Sequence, residues 1–203
     1  MSNSKDDFSG RDTERSDRPF AVSPCYIGFM ALIHYFAYGS NMLTERLQSR
    51  CASAKPRQVA RADNWVLTFS KRSRDGSGKA TISIATGGRV FGVIFDLDEC
   101  ELPELDRFEG AGKGYDRKDA FPVLIAGSRE PLNVVTYIAS PSCIDINLAP
   151  FDWYLNLVVA GARQHALPPE YVLALEATPS RADPKADRQS RREAMELLGN
   201  IRP

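Results

Sequence analysis

One short run of the sequence combines a strand-like ending with small and polar residues. An apolar stretch closes with Tyr38-Gly39-Ser40-Asn41, and Met42 follows. Gly39 permits close approach of a ligand to the backbone, and Ser40 or Asn41 is of a type that caps helix N-termini. Such a turn presents main-chain N–H groups and the positive end of a helix dipole, which bind carboxylates. The run therefore predicts an anion-binding turn, although an ordinary strand-to-helix connection has the same composition.

A carboxylate suited to proton transfer occurs later in the chain, at Glu109. It ends a segment in which Leu102, Leu105 and Phe108 recur at every third position, and Gly110 follows it. This spacing places the three apolar side chains on one face of a helix, and glycine commonly follows a helix end. A carboxylate held beside such a face can serve as a general acid or base. The residues alone also fit a solvent-exposed glutamate that only ends a helix.

The composition narrows the classes of function. The 203 residues include 26 Lys+Arg and 26 Asp+Glu, so the formal charge is zero and a general nucleic-acid binder, which needs a basic excess, is disfavoured. The four cysteines form no CxxC pair and the two histidines stand far apart, which disfavours a metal site or a redox couple. We therefore expect chemistry without a metal or cofactor, in a cytoplasmic protein with reduced thiols.

The elements that must position these residues are read from hydrophobic periodicity. Helical segments are inserted unevenly among short strands, which predicts the α+β class with a small mixed, barrel-like sheet rather than a regular βαβ repeat. The predicted strands span residues 32–38, 65–70, 81–85, 90–97, 121–125 and 134–139. The predicted helices span residues 42–50, 101–109, 151–165 and 170–177.

The two ends of the chain differ from the central part, which we predict to be one domain over residues 30–180. Residues 1–29 begin with a mixed-charge segment poor in apolar groups, so we expect a disordered N-terminal extension. The apolar stretch 20–38 contains Pro24 and His34 and fits neither a signal peptide nor a membrane span. Residues 181–203 are highly charged and predict a tail with a short helix near residues 192–198.

The motifs together resemble those of the γ-glutamylcyclotransferase-like family, which includes AIG2-like and γ-glutamylamine cyclotransferase-related proteins. Members carry Tyr-Gly-Ser-Asn after the first strand and Glu-Gly after a short helix, as at Tyr38–Asn41 and Glu109-Gly110 here. A late segment from Trp153-Tyr154 to Gly161 resembles the helix that closes the family's domain. The resemblance covers roughly residues 33–179 and implies the small mixed barrel of that family.

The resemblance also implies an activity. Family members release 5-oxoproline from a γ-glutamyl compound through attack of the substrate's own α-amine, with a glutamate that matches Glu109 as general base and acid. The leaving group is left open among an amino acid, a peptide as in glutathione, a lysine side-chain amine and a biosynthetic intermediate. Two alternatives also stay open, namely a non-catalytic module that binds small molecules in the same turn, and a γ-glutamyl amide hydrolase that releases glutamate.

The resemblance further implies which residues hold the substrate. Gly39, Ser40 and Asn41 would bind its α-carboxylate, Tyr38 would form a wall, and Tyr154 would donate a hydrogen bond. The implied partner is a small γ-glutamyl molecule, with no metal, cofactor, nucleic acid or membrane involved. A homodimer is left open.

Overall fold

The computed structural model describes residues 31–200. Five strands form a closed barrel in the order β1-β3-β2-β4-β5, and neighbouring strands are antiparallel except β1 and β5, which are parallel. The predicted α+β class with a barrel-like sheet is confirmed. The strands are β1 (Leu32–Ala37), β2 (Lys55–Arg72), β3 (Gly78–Asp98), β4 (Tyr115–Ile125) and β5 (Leu132–Ala139).

The core is formed by strands and helices together. Phe36 on β1 and Phe95 on β3 are fully buried, and so is Leu105, which follows β3 in a short helix. Burial of each side chain of this size contributes about 1.5–3 kcal/mol relative to an exposed one. The helices are α1 (Thr44–Gln48), α2 (Leu102–Glu109), α3 (Asp152–Gln164), α4 (Pro169–Glu176) and α5 (Gln189–Asn200).

Two strands predicted separately, over residues 81–85 and 90–97, are parts of the single strand β3. The glycines between them form an irregularity opposite Asn64 of β2, where the pairing register shifts. The Gly87 N–H donates to the Asn64 side chain at 3.0 Å, and Gly87 has a φ of +77°. A glycine that interrupts an alternating pattern can mark a bulge instead of a chain reversal, and here it marks a bulge.

The helix predicted over residues 42–50 is also different in the structure. Residues Ser40–Met42 form a 3₁₀ turn, Leu43 is extended with φ −69° and ψ 114°, and α1 then begins at Thr44. Neither Ser40 nor Asn41 therefore caps an α-helix. The interruption lies where α3 packs against the turn, with Gly161 beside the Met42 and Leu43 backbone. Tertiary packing thus overrides the helical pattern of this segment.

The charged C-terminal segment includes α5, within which the helix predicted near residues 192–198 lies. Ala194 of α5 is fully buried, and Leu197 and Leu198 pack against the core. The predicted disorder of residues 1–29 lies outside the described residues. The division into a domain over 30–180 and a tail stays a prediction. Within residues 31–200, no helix is both long and apolar enough to cross a membrane.

Candidate active site

A small cavity lies between β1, the turn that follows it, β3 and the end of α2. Its volume is about 40 Å³, which is room for a few water molecules or for the polar head of a small ligand. All six residues that the sequence analysis selected line this one cavity. The lining consists of Tyr35, Tyr38, Gly39, Ser40, Asn41, Ala80, Glu109, Tyr115, Tyr137 and Tyr154.

Glu109 is placed by the end of α2. Gly110 ends the helix in a left-handed conformation with a φ of +66°, and the Glu109 side chain is 15% exposed. Its Oε1 atom accepts hydrogen bonds from Asn41 Nδ2 at 2.8 Å and from Arg50 Nη1 at 3.0 Å. No donor within residues 31–200 contacts Oε2. One carboxylate oxygen is therefore held in place while the other is available to a ligand.

Arg50 is a residue of this site that the sequence analysis missed. It follows α1, its side chain is 16% exposed, and its Nη1 atom also donates to Asn41 Oδ1 at 2.9 Å. The positive charge of Arg50 offsets the negative charge of the Glu109 carboxylate. The same guanidinium group also fixes the position of the Asn41 side chain. In the sequence, an arginine at the end of a short helix indicates only a favourable interaction with the helix dipole. No local signal therefore identifies it as part of the site.

The turn after β1 brings main-chain groups to the cavity. A Cβ atom on Gly39 would lie 3.0 Å from the Ala80 Cβ and 3.6 Å from the Tyr154 hydroxyl, so glycine keeps this approach open. The backbone N–H groups of Ser40 and Asn41 have no acceptor in the part of the chain that the structure describes. Two main-chain donors are thus available to an anion, without the α-helix N-terminus that the sequence analysis expected.

A guanidinium group reinforces the positive character of this turn. The Ser40 hydroxyl accepts a hydrogen bond from Arg46 Nε at 3.1 Å. Burial, together with the neighbouring charge of Arg50, lowers the pKa of Arg46 to about 10, so the group stays charged at neutral pH. The turn is therefore suited to a negatively charged ligand group.

Five tyrosines surround the cavity, and three of them have a protein acceptor for their hydroxyl proton. Tyr38 donates to the main-chain oxygen of Tyr137, and Tyr115 donates to the Ala80 oxygen at 2.7 Å. Tyr137 in turn donates to Asp106 Oδ1 at 2.7 Å. These hydroxyls hold the barrel, α2 and the turn together, and their protons are already engaged.

The other two tyrosine hydroxyls accept hydrogen bonds from the protein. Tyr35 accepts from Asn41 Nδ2 at 3.1 Å, and Tyr154 accepts from the Ala80 N–H at 3.1 Å. Burial raises the pKa of both tyrosines, so both keep their protons at neutral pH. Each can therefore donate to a ligand. The sequence predicts Tyr154 for this task and gives no sign of Tyr35, which looks like an ordinary strand residue.

Comparisons with known proteins identify the family of this chain. Residues 89–175 match a model described as the AIG2-like family. A γ-glutamylcyclotransferase from Bos taurus is 32% identical over 142 residues, which are 68% of this chain and 73% of the relative. The chain belongs to the γ-glutamylcyclotransferase family. The human γ-glutamylcyclotransferase is also 32% identical, over 152 residues that cover 70% of this chain and 77% of the human protein.

The solved structures extend the agreement to the fold. A γ-glutamyl cyclotransferase structure superimposes with a TM-score of 0.74 at 27% identity, covering 82% of this chain and 99% of the other. The family resemblance inferred from the motifs is confirmed, and the chain is an enzyme of the γ-glutamylcyclotransferase-like type.

Proposed function

We propose that this enzyme releases 5-oxoproline and a free amine or amino acid from a γ-glutamyl compound. The observation that carries the proposal is the uncommitted Oε2 of Glu109 in the same cavity as the open N–H groups of Ser40 and Asn41. Cleavage by cyclisation needs only a proton acceptor and a means of holding the substrate bent, because the nucleophile belongs to the substrate itself. The cavity offers both.

In the proposed reaction, Glu109 moves two protons. Its Oε2 first takes a proton from the α-ammonium of the γ-glutamyl group, and the resulting amine attacks the γ-carbonyl carbon. A carbon–nitrogen bond forms and closes the five-membered ring. The original amide bond then breaks, and Glu109 returns that first proton to the departing nitrogen. The second proton, left on the new ring nitrogen, passes through the same carboxylate to the released amine, which leaves as an ammonium group. Arg50 and Asn41 act as positioning residues, since both bind Oε1 and leave Oε2 facing the substrate.

The turn after β1 is proposed to hold the substrate. The backbone of Gly39, Ser40 and Asn41 would bind the α-carboxylate and the oxyanion that develops on the γ-carbonyl, because main-chain donors fixed in advance stabilise such charge most effectively. Tyr38, which is buried and donates a hydrogen bond to the Tyr137 main-chain oxygen, would form a rigid wall of the cavity. The balanced charge of the chain supports a small γ-glutamyl molecule, rather than a nucleic acid, as its partner.

Tyr154 is proposed to donate a hydrogen bond to the substrate. Replacing it by phenylalanine removes that donor and leaves the Ala80 N–H without its acceptor. We expect kcat/KM for 5-oxoproline release to fall about tenfold or more, the usual loss for one hydrogen bond of about 1.5 kcal/mol. The matched control is Tyr171→Phe on α4, outside the cavity, which should keep the wild-type kcat/KM. Equal values for the wild type and Tyr154→Phe would remove Tyr154 from the binding residues.

Product analysis by mass spectrometry tests the proposed function and separates it from the two alternatives. The wild-type enzyme, incubated with a panel of γ-glutamyl amino acids, peptides and amines, should release 5-oxoproline and the amine in equal amounts. Free glutamate as the only acidic product would identify a hydrolase instead. Binding of γ-glutamyl compounds in calorimetry without any product across the panel would identify a binding module.

A further inference from the structure

Lys71, on β2, lies beside the cavity. Its Nζ atom is 4.9 Å from the centre of the Tyr115 ring, which lines the cavity. Gly114 precedes that tyrosine, and a Cβ atom there would lie 3.1 Å from both Cε and Nζ of Lys71. Because glycine has no side chain, the Lys71 ammonium group can lie directly against the backbone at Gly114 and against the Tyr115 ring.

No carboxylate of the described residues pairs with the charge of Lys71. Lys71 pairs in register with Lys79 of β3, and like charges directly opposite each other in a sheet are unfavourable. Lys79 forms an ion pair with the nearby carboxylate of Asp75, whose Oδ2 atom is 3.0 Å from the Lys79 Nζ atom. Lys79 also lies over the Tyr154 ring, at 4.4 Å from its centre. Across residues 31–200, Lys71 itself forms no ion pair.

The two arginines of the site differ in whether a carboxylate balances their charge. The charge of Arg50 is offset by Glu109, whereas Arg46 binds the Ser40 hydroxyl and has no carboxylate partner among the described residues. In the part of the chain that the structure describes, two cations beside the cavity therefore have no carboxylate partner, namely Arg46 at the turn after β1 and Lys71 at the Tyr115 wall. A γ-glutamyl amino acid also carries two carboxylates, one on the glutamyl group and one on the departing amino acid.

We propose that Lys71 binds the carboxylate of the departing amino acid or peptide. The inference rests on the proposed function, in which the turn supported by Arg46 takes the α-carboxylate of the glutamyl group. Lys71 then makes the enzyme selective for γ-glutamyl compounds whose leaving group carries a carboxylate, over γ-glutamyl amines. Burial lowers the pKa of Lys71, and a carboxylate ligand would compensate the cost of holding this ammonium group away from water.

Two substrates that differ by a single carboxylate test this assignment. γ-Glutamyl-alanine and γ-glutamyl-ethylamine share every other heavy atom, so their ratio of kcat/KM isolates the contribution of that group. We expect the wild type to prefer γ-glutamyl-alanine about ten- to a hundredfold, which is the range for a charge-assisted hydrogen bond. Lys71→Met should abolish most of this preference by raising KM for γ-glutamyl-alanine, and Lys71→Arg should restore it.

The control variant is Lys55→Met, an exposed lysine at the other end of β2, which should keep the wild-type ratio. A loss of similar size on both substrates in Lys71→Met, or a wild type without preference, would overturn the role of Lys71 while the cyclotransferase function stands. No 5-oxoproline from either substrate with the wild type would instead refute the proposed function, and the role of Lys71 with it.

A measurement on the wild type alone covers the case in which Lys71→Met does not fold. Added salt weakens attraction between partly exposed charges. Raising the ionic strength should therefore increase KM for γ-glutamyl-alanine more than KM for γ-glutamyl-ethylamine. Equal salt dependence for the two substrates would contradict the assignment.

Discussion

Glu109→Gln is expected to lower kcat/KM for 5-oxoproline release by about 100- to 10,000-fold, the range for loss of a general acid–base group. A glutamine side chain cannot take a proton from the substrate ammonium, although its amide oxygen can still accept from Asn41 and Arg50. The fold should therefore persist, and the far-UV circular dichroism spectrum should match that of the wild type. Initial rates with quantified 5-oxoproline measure the effect.

The chain offers a matched control on the same helix. Glu104, also on α2, binds Arg107 on the protein surface. Glu104→Gln should retain the wild-type kcat/KM because its carboxylate does not line the cavity. If Glu109→Gln turned over substrate as fast as Glu104→Gln, Glu109 would have no part in proton transfer, and the proposed mechanism would be wrong.

Gly161→Ala is expected to damage both stability and activity. The added Cβ atom would lie 2.5 Å from the Leu43 nitrogen and 2.7 Å from the Met42 carbonyl carbon, and neither backbone atom can move alone. Forcing an extra methyl group into a packed core costs about 1–3 kcal/mol. For a chain of this size, that lowers Tm by several degrees.

The displaced backbone in Gly161→Ala adjoins the turn that would bind the substrate carboxylate, so KM should rise together with the fall in Tm. The control is Gly199→Ala on α5, where an added Cβ meets no atom within 4 Å. Alanine is the better helix former, so this control should be at least as stable as the wild type. Unchanged Tm and KM in Gly161→Ala would show that α3 does not fix the turn.

Local sequence patterns predicted many of the strands and helices that the structure shows. Alternating and three-residue hydrophobic spacing located most strands and α2, because such patterns depend on neighbours within a few residues. The same spacing failed at Gly87 and at Leu43. At Gly87 the spacing failed because a glycine can fit either a turn or a bulge. At Leu43 it failed because α3, through Gly161, packs against the backbone and interrupts the predicted first helix. In both cases a distant contact decided between two local conformations.

The sequence by itself indicated the family, the barrel-like class and six of the ten residues that line the cavity. Tyr38–Asn41 and Glu109-Gly110 are short motifs that can be recognised from their order along the chain. Only the tertiary structure decided that Arg50 contacts Glu109 across 59 positions. It also decided that, among residues 31–200, the Tyr35 proton has no acceptor and Lys71 has no ion-pair partner. The physical reason is that hydrogen bonding and charge pairing depend on distances in space, which closure of the barrel sets and which linear spacing does not contain.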